Sequence, residues 1–166
     1  DLKIGQNLSL NDKVIQKFEL ALKKLCLNLA KQVVVDGDGA KKFLTINVIN
    51  AKSLGSAKKI AFSIANSPLV KTAVAGEDPN WGRIAMGLGK SGEPVDVKKL
   101  KIKIGEYIVA ENGKVSDNYN EKKLKEYMEW DAIEIEVNLK LGNDAFKCYT
   151  CDFTHDYIDI NADYRN

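Results

Sequence analysis

Two carboxylates stand one residue apart among glycines in Asp36-Gly37-Asp38-Gly39. Such a run can open a calcium loop, but the twelfth position, where that loop needs a bidentate glutamate, is Asn47. It can equally end a helix, because glycine adopts the backbone angles that do so. Helix stop and functional carboxylate are both readings of Asp38. Further on, Cys148 and Cys151 form a C-x-x-C, with His155 four residues later. Zinc normally takes four ligands, and only Cys26 or a carboxylate is left to supply the fourth. A redox pair wants its thiolate at a helix N-terminus, whereas these cysteines fall in a strand-like stretch that puts them on opposite faces. Structural cysteines are the expectation. His155, the only histidine, has no G-x-S-x-G or reactive-cysteine context and reads as a polar residue at a strand junction. The stretch Gly76-Glu77-Asp78-Pro79-Asn80-Trp81-Gly82 lacks the glycine spacing and the lysine of a phosphate-binding loop. It reads as a turn, with Trp81 as a packing anchor.

The elements that must hold these groups follow from periodicity. Val14, Ile15, Phe18, Leu22, Leu25, Cys26, Leu29, Ala30 and Val33 recur at helical spacing, which predicts a long amphipathic helix. Ser9 with Asp12 is its expected N-terminal cap and residues 36–39 are its stop. Leu44, Ile46 and Val48 then alternate as a strand. Ala57, Ile60, Ala61 and Ile64 predict a short helix stopped by Ser67-Pro68. Residues 69–75 are apolar and β-tolerant, predicting a buried strand, before a turn into a helix over 83–88. Leu100, Ile102 and Ile104 alternate with lysines, and Ile133, Ile135, Val137 and Leu139 with polar residues; both mark a sheet with one wet face. A helix over 121–128 lies between them. Gly142-Asn143-Asp144 predicts a hairpin turn into a strand over 145–153, and 157–161 reads as a last short strand. The predicted class is α+β with a largely antiparallel sheet.

Composition narrows the function classes. The 166 residues are 45% apolar and 29% charged, enough for a buried core. Twenty-five basic against 23 acidic residues leave +2, no electrostatic footprint for nucleic acid or an anionic membrane. All but two of the cations are lysine, whereas phosphate and base readers favour arginine forks. No apolar run approaches the length of a membrane span. Three cysteines predict a reducing, cytoplasmic setting rather than a disulfide scaffold.

Four long motifs occur in order. The first is Leu29-Ala30-Lys31-Gln32-Val33-Val34-Val35-Asp36-Gly37-Asp38-Gly39-Ala40-Lys41-Lys42-Phe43. Ser67-Pro68-Leu69-Val70-Lys71-Thr72-Ala73 and Gly76-Glu77-Asp78-Pro79-Asn80-Trp81-Gly82-Arg83 follow. The last runs from Tyr149-Thr150-Cys151-Asp152-Phe153-Thr154 through Asp156-Tyr157-Ile158-Asp159-Ile160-Asn161-Ala162-Asp163-Tyr164-Arg165-Asn166. Together they resemble the bifunctional ornithine acetyltransferases, the final motif resembling that family's carboxyl terminus.

The resemblance implies a precursor that cuts itself before an internal threonine into α and β chains. The freed threonine takes the acetyl group of N-acetylornithine and passes it to glutamate through an acetyl-enzyme, with no metal or prosthetic group. A family β chain begins Thr-Met-Leu, whereas this chain begins Asp1-Leu2-Lys3. The chain is therefore expected to be the carboxy-terminal part of a β chain in a DmpA/ornithine acetyltransferase-like fold, inactive alone. Its implied partners are the α chain and the upstream β segment, in a heterotetramer of two α/β pairs. Three positions match family substrate contacts. Asp38 stands where the family usually has glutamate, to pair with a substrate ammonium; Asn161 matches the family asparagine; Asn166 stands where the family ends in serine or threonine. Segments 1–39 and 145–166 are expected to pack on the absent catalytic portion, leaving 40–144 as a smaller module. The alternative expectation is a free-standing α+β amino-acid-binding or interaction module without catalysis.

Overall fold

The computed structural model describes residues 12–163. The chain divides into two compact units, Asp1–Val33 and Val34–Asn166. Helix α1 (Lys13–Val35) supplies the structure of the first, as its periodicity predicts. It opens with the Gln16 amide donating to the Asp12 carbonyl at 3.0 Å, while Ser9 lies outside the described residues. None of its side chains is buried, so Phe18, Leu22, Leu25 and Leu29 lie exposed along it.

The second unit is built on a six-stranded sheet. Its strands are β1 (Phe43–Ala51), β2 (Lys101–Ile104), β3 (Tyr107–Glu111), β4 (Lys114–Val115), β5 (Ala132–Asn138) and β6 (Asp144–Cys151), in the order β4-β3-β2-β5-β1-β6. Only β1 and β5 run parallel; the other neighbours are antiparallel. Alternation sorts each strand. Leu44, Ile46, Val48, Ile102, Ile104, Ile133, Ile135 and Val137 turn into one core. Thr45, Asn47, Lys103, Glu134, Glu136 and Lys147 take the opposite face, where Lys103–Glu136 and Lys147–Glu134 pair across strands. Helix α2 (Leu54–Ala65) packs across β1 and β6 through Ala57, Ile60, Ala61 and Ile64. Helices α3 (Pro68–Ala75), α4 (Trp81–Gly89) and α5 (Glu121–Met128) add Val70, Val74, Ile84, Leu88, Leu124 and Met128 to the same core.

Three expectations are corrected. Residues 69–75 form α3 rather than a strand: Ser67-Pro68, expected only to stop α2, also starts the next helix, since proline suits the first helical position. Val70, Ala73 and Val74, the buried residues, recur with a helical period. Residues 157–161 lie in helix α6 (His155–Ala162), not a strand. Five alternating residues span little more than one helical turn, so period 2 cannot be told from chance there. Asp156 in the first turn instead favours a helix start. Gly142-Asn143-Asp144 closes no hairpin, because β5 and β6 lie on either side of β1; the amides of Leu141 and Gly142 bond the Asn50 carbonyl as the chain passes that strand's end. Strand β6 is the edge strand next to β1 in this sheet.

Candidate functional site

The loop after α1 and the segment after β6 meet because of one register. Phe43 at the start of β1 stands opposite Cys151 at the end of β6. The next residue, Asp152, is 3% exposed, and its Oδ1 accepts the backbone amides of Lys41 at 2.9 Å and Lys42 at 3.1 Å. Its own amide donates back to the Lys42 carbonyl at 3.1 Å. This clamp fixes residues 36–42 against the chain that enters α6.

Above it, Thr154 donates its hydroxyl to the Gly39 carbonyl at 2.7 Å, and Lys41 pairs with Asp156 at 2.8 Å. Gly39 has φ +65°, and a Cβ there would lie 2.6 Å from the Tyr157 amide nitrogen. Only glycine allows α6 so close. The result is that Asn161, one turn beyond Tyr157, donates its Nδ2 to Asp38 Oδ2 at 3.3 Å and to the Tyr157 carbonyl at 2.9 Å. Asp38 and Asn161 are 123 positions apart. Both are exposed, and Asp38 has no cation against it among the described residues. A cleft of about 580 Å³ opens between α3 and the start of α6, lined by Lys41, Thr72, Phe153, Thr154, Asp156 and Ile158, but by neither Asp38 nor Asn161. An exposed carboxylate next to a fixed carboxamide suits an ammonium group and the hydrogen-bonding groups around it. Asn166 lies outside the described residues.

The structure adds two groups that sequence reasoning did not single out. One is Asp152, quoted only as part of a motif. The other is Lys42, 9% exposed, whose Nζ donates to the Met128 carbonyl at 2.7 Å, to Glu77 Oε1 at 3.0 Å and to the Trp130 carbonyl at 3.4 Å. A buried ammonium requires such partners. Its position one residue before β1, close to the Leu44–Val48 alternation, was the only sequence signal. Cys148 faces the core, and burial pushes its thiol up to about 11, which makes it a poor nucleophile at neutral pH. Cys151 points elsewhere, 3.9 Å from Lys71 Nζ, so the two sulfurs do not converge. No group of three His, Cys, Asp or Glu side chains among the described residues could hold a metal ion.

The Lys41–Asp156 pair makes a pH prediction. Its hydrogen bond, and then its charge attraction, hold the Asp156 carboxyl below its ordinary value of 3.8 and the Lys41 ammonium above 10.5. Asp156 therefore contributes fully above pH 3.8, and that contribution is lost as pH falls through its lower folded value; Lys41's is lost as pH rises through its higher one. NMR titration should show the Asp156 midpoint rising towards 3.8 in Lys41→Met. An unmoved midpoint would mean the pair does not persist in solution.

Residues 4–166 match the ArgJ family, so the chain belongs to that family. It is 51% identical over 156 residues to the arginine biosynthesis bifunctional protein ArgJ of Gluconobacter oxydans, covering 94% of this chain and 37% of that protein. The relative from Brucella melitensis is 50% identical over 155 residues, covering 93% of this chain and 38% of the other. The crystal structure of the arginine biosynthesis bifunctional protein from Bacillus halodurans superposes with a TM-score of 0.90 at 37% identity, covering 96% of this chain and 75% of that one. The chain thus spans under two-fifths of the length of these curated relatives. No helix of the described residues is long and apolar enough to cross a membrane.

Proposed function

We propose that this chain is the carboxy-terminal part of the β chain of an enzyme that transfers an acetyl group from N-acetylornithine to glutamate. It would form the amino-acid-binding edge of the active site. The observation that supports this most directly is the contact between Asp38 and Asn161, which the resemblance names separately as substrate positions and which meet at 3.3 Å. In this reading Asp38 pairs with the ammonium of the bound amino acid, and Asn161 holds the Asp38 carboxylate and accepts through its amide oxygen. Asn166, the third position that the resemblance names, completes the edge. The acetyl-carrying threonine, the α chain and the upstream β segment lie outside these 166 residues, in a cytoplasmic heterotetramer of two α/β pairs. This chain alone is inactive. The exposed apolar residues of α1 support a role for segment 1–39, with 145–166, in packing on that portion.

The test is to co-express the chain with the part of the Gluconobacter oxydans relative that it does not match, and to follow acetyl transfer to glutamate. Activity should require both polypeptides. Asp38→Asn and Asn161→Ala should each weaken transfer about 10- to 100-fold, the loss of one hydrogen bond to a charged group. Both residues are exposed, so the denaturation midpoint should stay put. An active assembly indifferent to both substitutions would overturn the assignment.

A further inference from the structure

On the α5–β5 corner, Tyr107, Tyr127 and Trp130 form an aromatic platform. Tyr127 lies 5.2 Å from Trp130 and 6.3 Å from Tyr107 between ring centroids, with interplanar angles of 51° and 66°. Trp130 is 63% exposed, although the surrounding core hides far smaller apolar side chains completely. The rings wall a cleft of about 420 Å³, completed by Glu106, Glu126 and Lys123. That size lies within the range of about 300–1,000 Å³ usual for small-molecule sites. None of its lining residues belongs to the cleft beside Asp156.

The platform is held in place before any ligand arrives. The Tyr127 hydroxyl accepts the Glu134 amide at 3.0 Å, and its ring rests on the backbone of Gly105. The Trp130 amide bonds the Tyr127 carbonyl at 3.1 Å, and the Trp130 carbonyl receives the buried Lys42 ammonium. Both carboxylates act on the Tyr107 phenol. It is pushed up by desolvation first, then by a hydrogen bond to Glu106 and by the charges of Glu106 and Glu126.

Ring faces carry negative electrostatic potential and attract cations, guanidinium groups above all because they also stack. Two carboxylates add to that attraction. The one ammonium in the cleft, Lys123, leaves a net single negative charge and supplies a counter-charge for one carboxylate of a ligand. Neither Glu126 nor Lys123 has an ion-pair partner among the described residues. The complement of this set is a small molecule with a side-chain cation, an α-carboxylate and a net positive charge. We propose that the cleft of Tyr107, Tyr127, Trp130, Glu106, Glu126 and Lys123 binds a basic α-amino acid. Its guanidinium lies over the rings between the two glutamates and its carboxylate meets Lys123.

The experiment is an NMR titration of the 166-residue chain with L-arginine, read at the Trp130 indole N–H, which is assigned by its absence in Trp130→Phe. A saturable shift is expected. L-citrulline, nearly the same shape without the charge, should bind about tenfold more weakly or worse, and so should L-arginine to the Glu106→Gln/Glu126→Gln double variant. Agmatine, which lacks the carboxylate, should lose affinity to the parent chain but bind Lys123→Met no worse than the parent. All four substituted side chains are at the surface, and an unchanged amide spectrum elsewhere shows that the variants remain folded. The proposal is overturned by a Trp130 signal that does not saturate, by equal response to citrulline, or by indifference to the glutamate substitutions. Shifts confined to Asp38 and Asn161 would also overturn it, and would leave the proposed function standing.

Discussion

Asp152→Ala should destabilise the Val34–Asn166 unit by about 2–4 kcal/mol, the loss of two hydrogen bonds from backbone amides to a buried charged acceptor. One carboxylate oxygen takes the amides of both Lys41 and Lys42, and alanine leaves those donors without it. A second effect works the other way. Asp152 Oδ2 is buried with no hydrogen-bond partner, so removing it relieves some desolvation cost. The first effect wins because two amides lose their acceptor, whereas only one oxygen is relieved. Asp152→Asn keeps an oxygen at the Oδ1 position and should therefore lose distinctly less than alanine does. Urea denaturation of the parent and both variants measures this, and equal midpoints for alanine and asparagine would show that the clamp is not what Asp152 provides.

Gly39→Ala should cost about 3 kcal/mol or more, from left-handed backbone strain plus overpacking against main chain. The atoms that a Cβ would meet, Tyr157 N at 2.6 Å and Asp156 C at 2.8 Å, are backbone and cannot swing aside as a side chain would. Either the loop or α6 must move, and with it the Asp38–Asn161 contact. Gly92 offers the control. Its φ is +70°, but nothing lies within 4 Å of its absent Cβ. Gly92→Ala should therefore show only the backbone term, about 1–2 kcal/mol. In the co-expressed assembly, Gly39→Ala should also reduce acetyl transfer and Gly92→Ala should leave it close to the parent. Equal destabilisation by the two substitutions would show that α6 does not press on Gly39 in solution.

Local pattern decided a good part of the fold. The α1 stripe, the alternation Leu44-Ile46-Val48 and Ile133-Ile135-Val137, and the span of α5 all appear as their periodicity predicts. Pattern failed where the window was short. Residues 69–75 and 157–161 are too brief for periods 2 and 3.6 to separate, and α3 was readable only through Ser67-Pro68 used as a start. Strands β3 and β4 were not anticipated, although Asn112-Gly113, both at positive φ, is a strong hairpin signal between them.

Residue order alone determined the family, the α+β class and Asp38 and Asn161 as separate candidates, since each of these is written in short contiguous runs. Their meeting was decided only in three dimensions. It depends on β6 pairing with β1 in one register, on the buried Asp152 carboxylate and on the missing side chain of Gly39, which together bring α6 onto the loop. Hydrophobic periodicity reaches over a few residues, whereas a contact across 123 positions is set by which strands become neighbours. The aromatic cleft has the same origin: its rings come from the strand β3 and the α5–β5 corner, brought together by sheet order rather than by spacing in the chain.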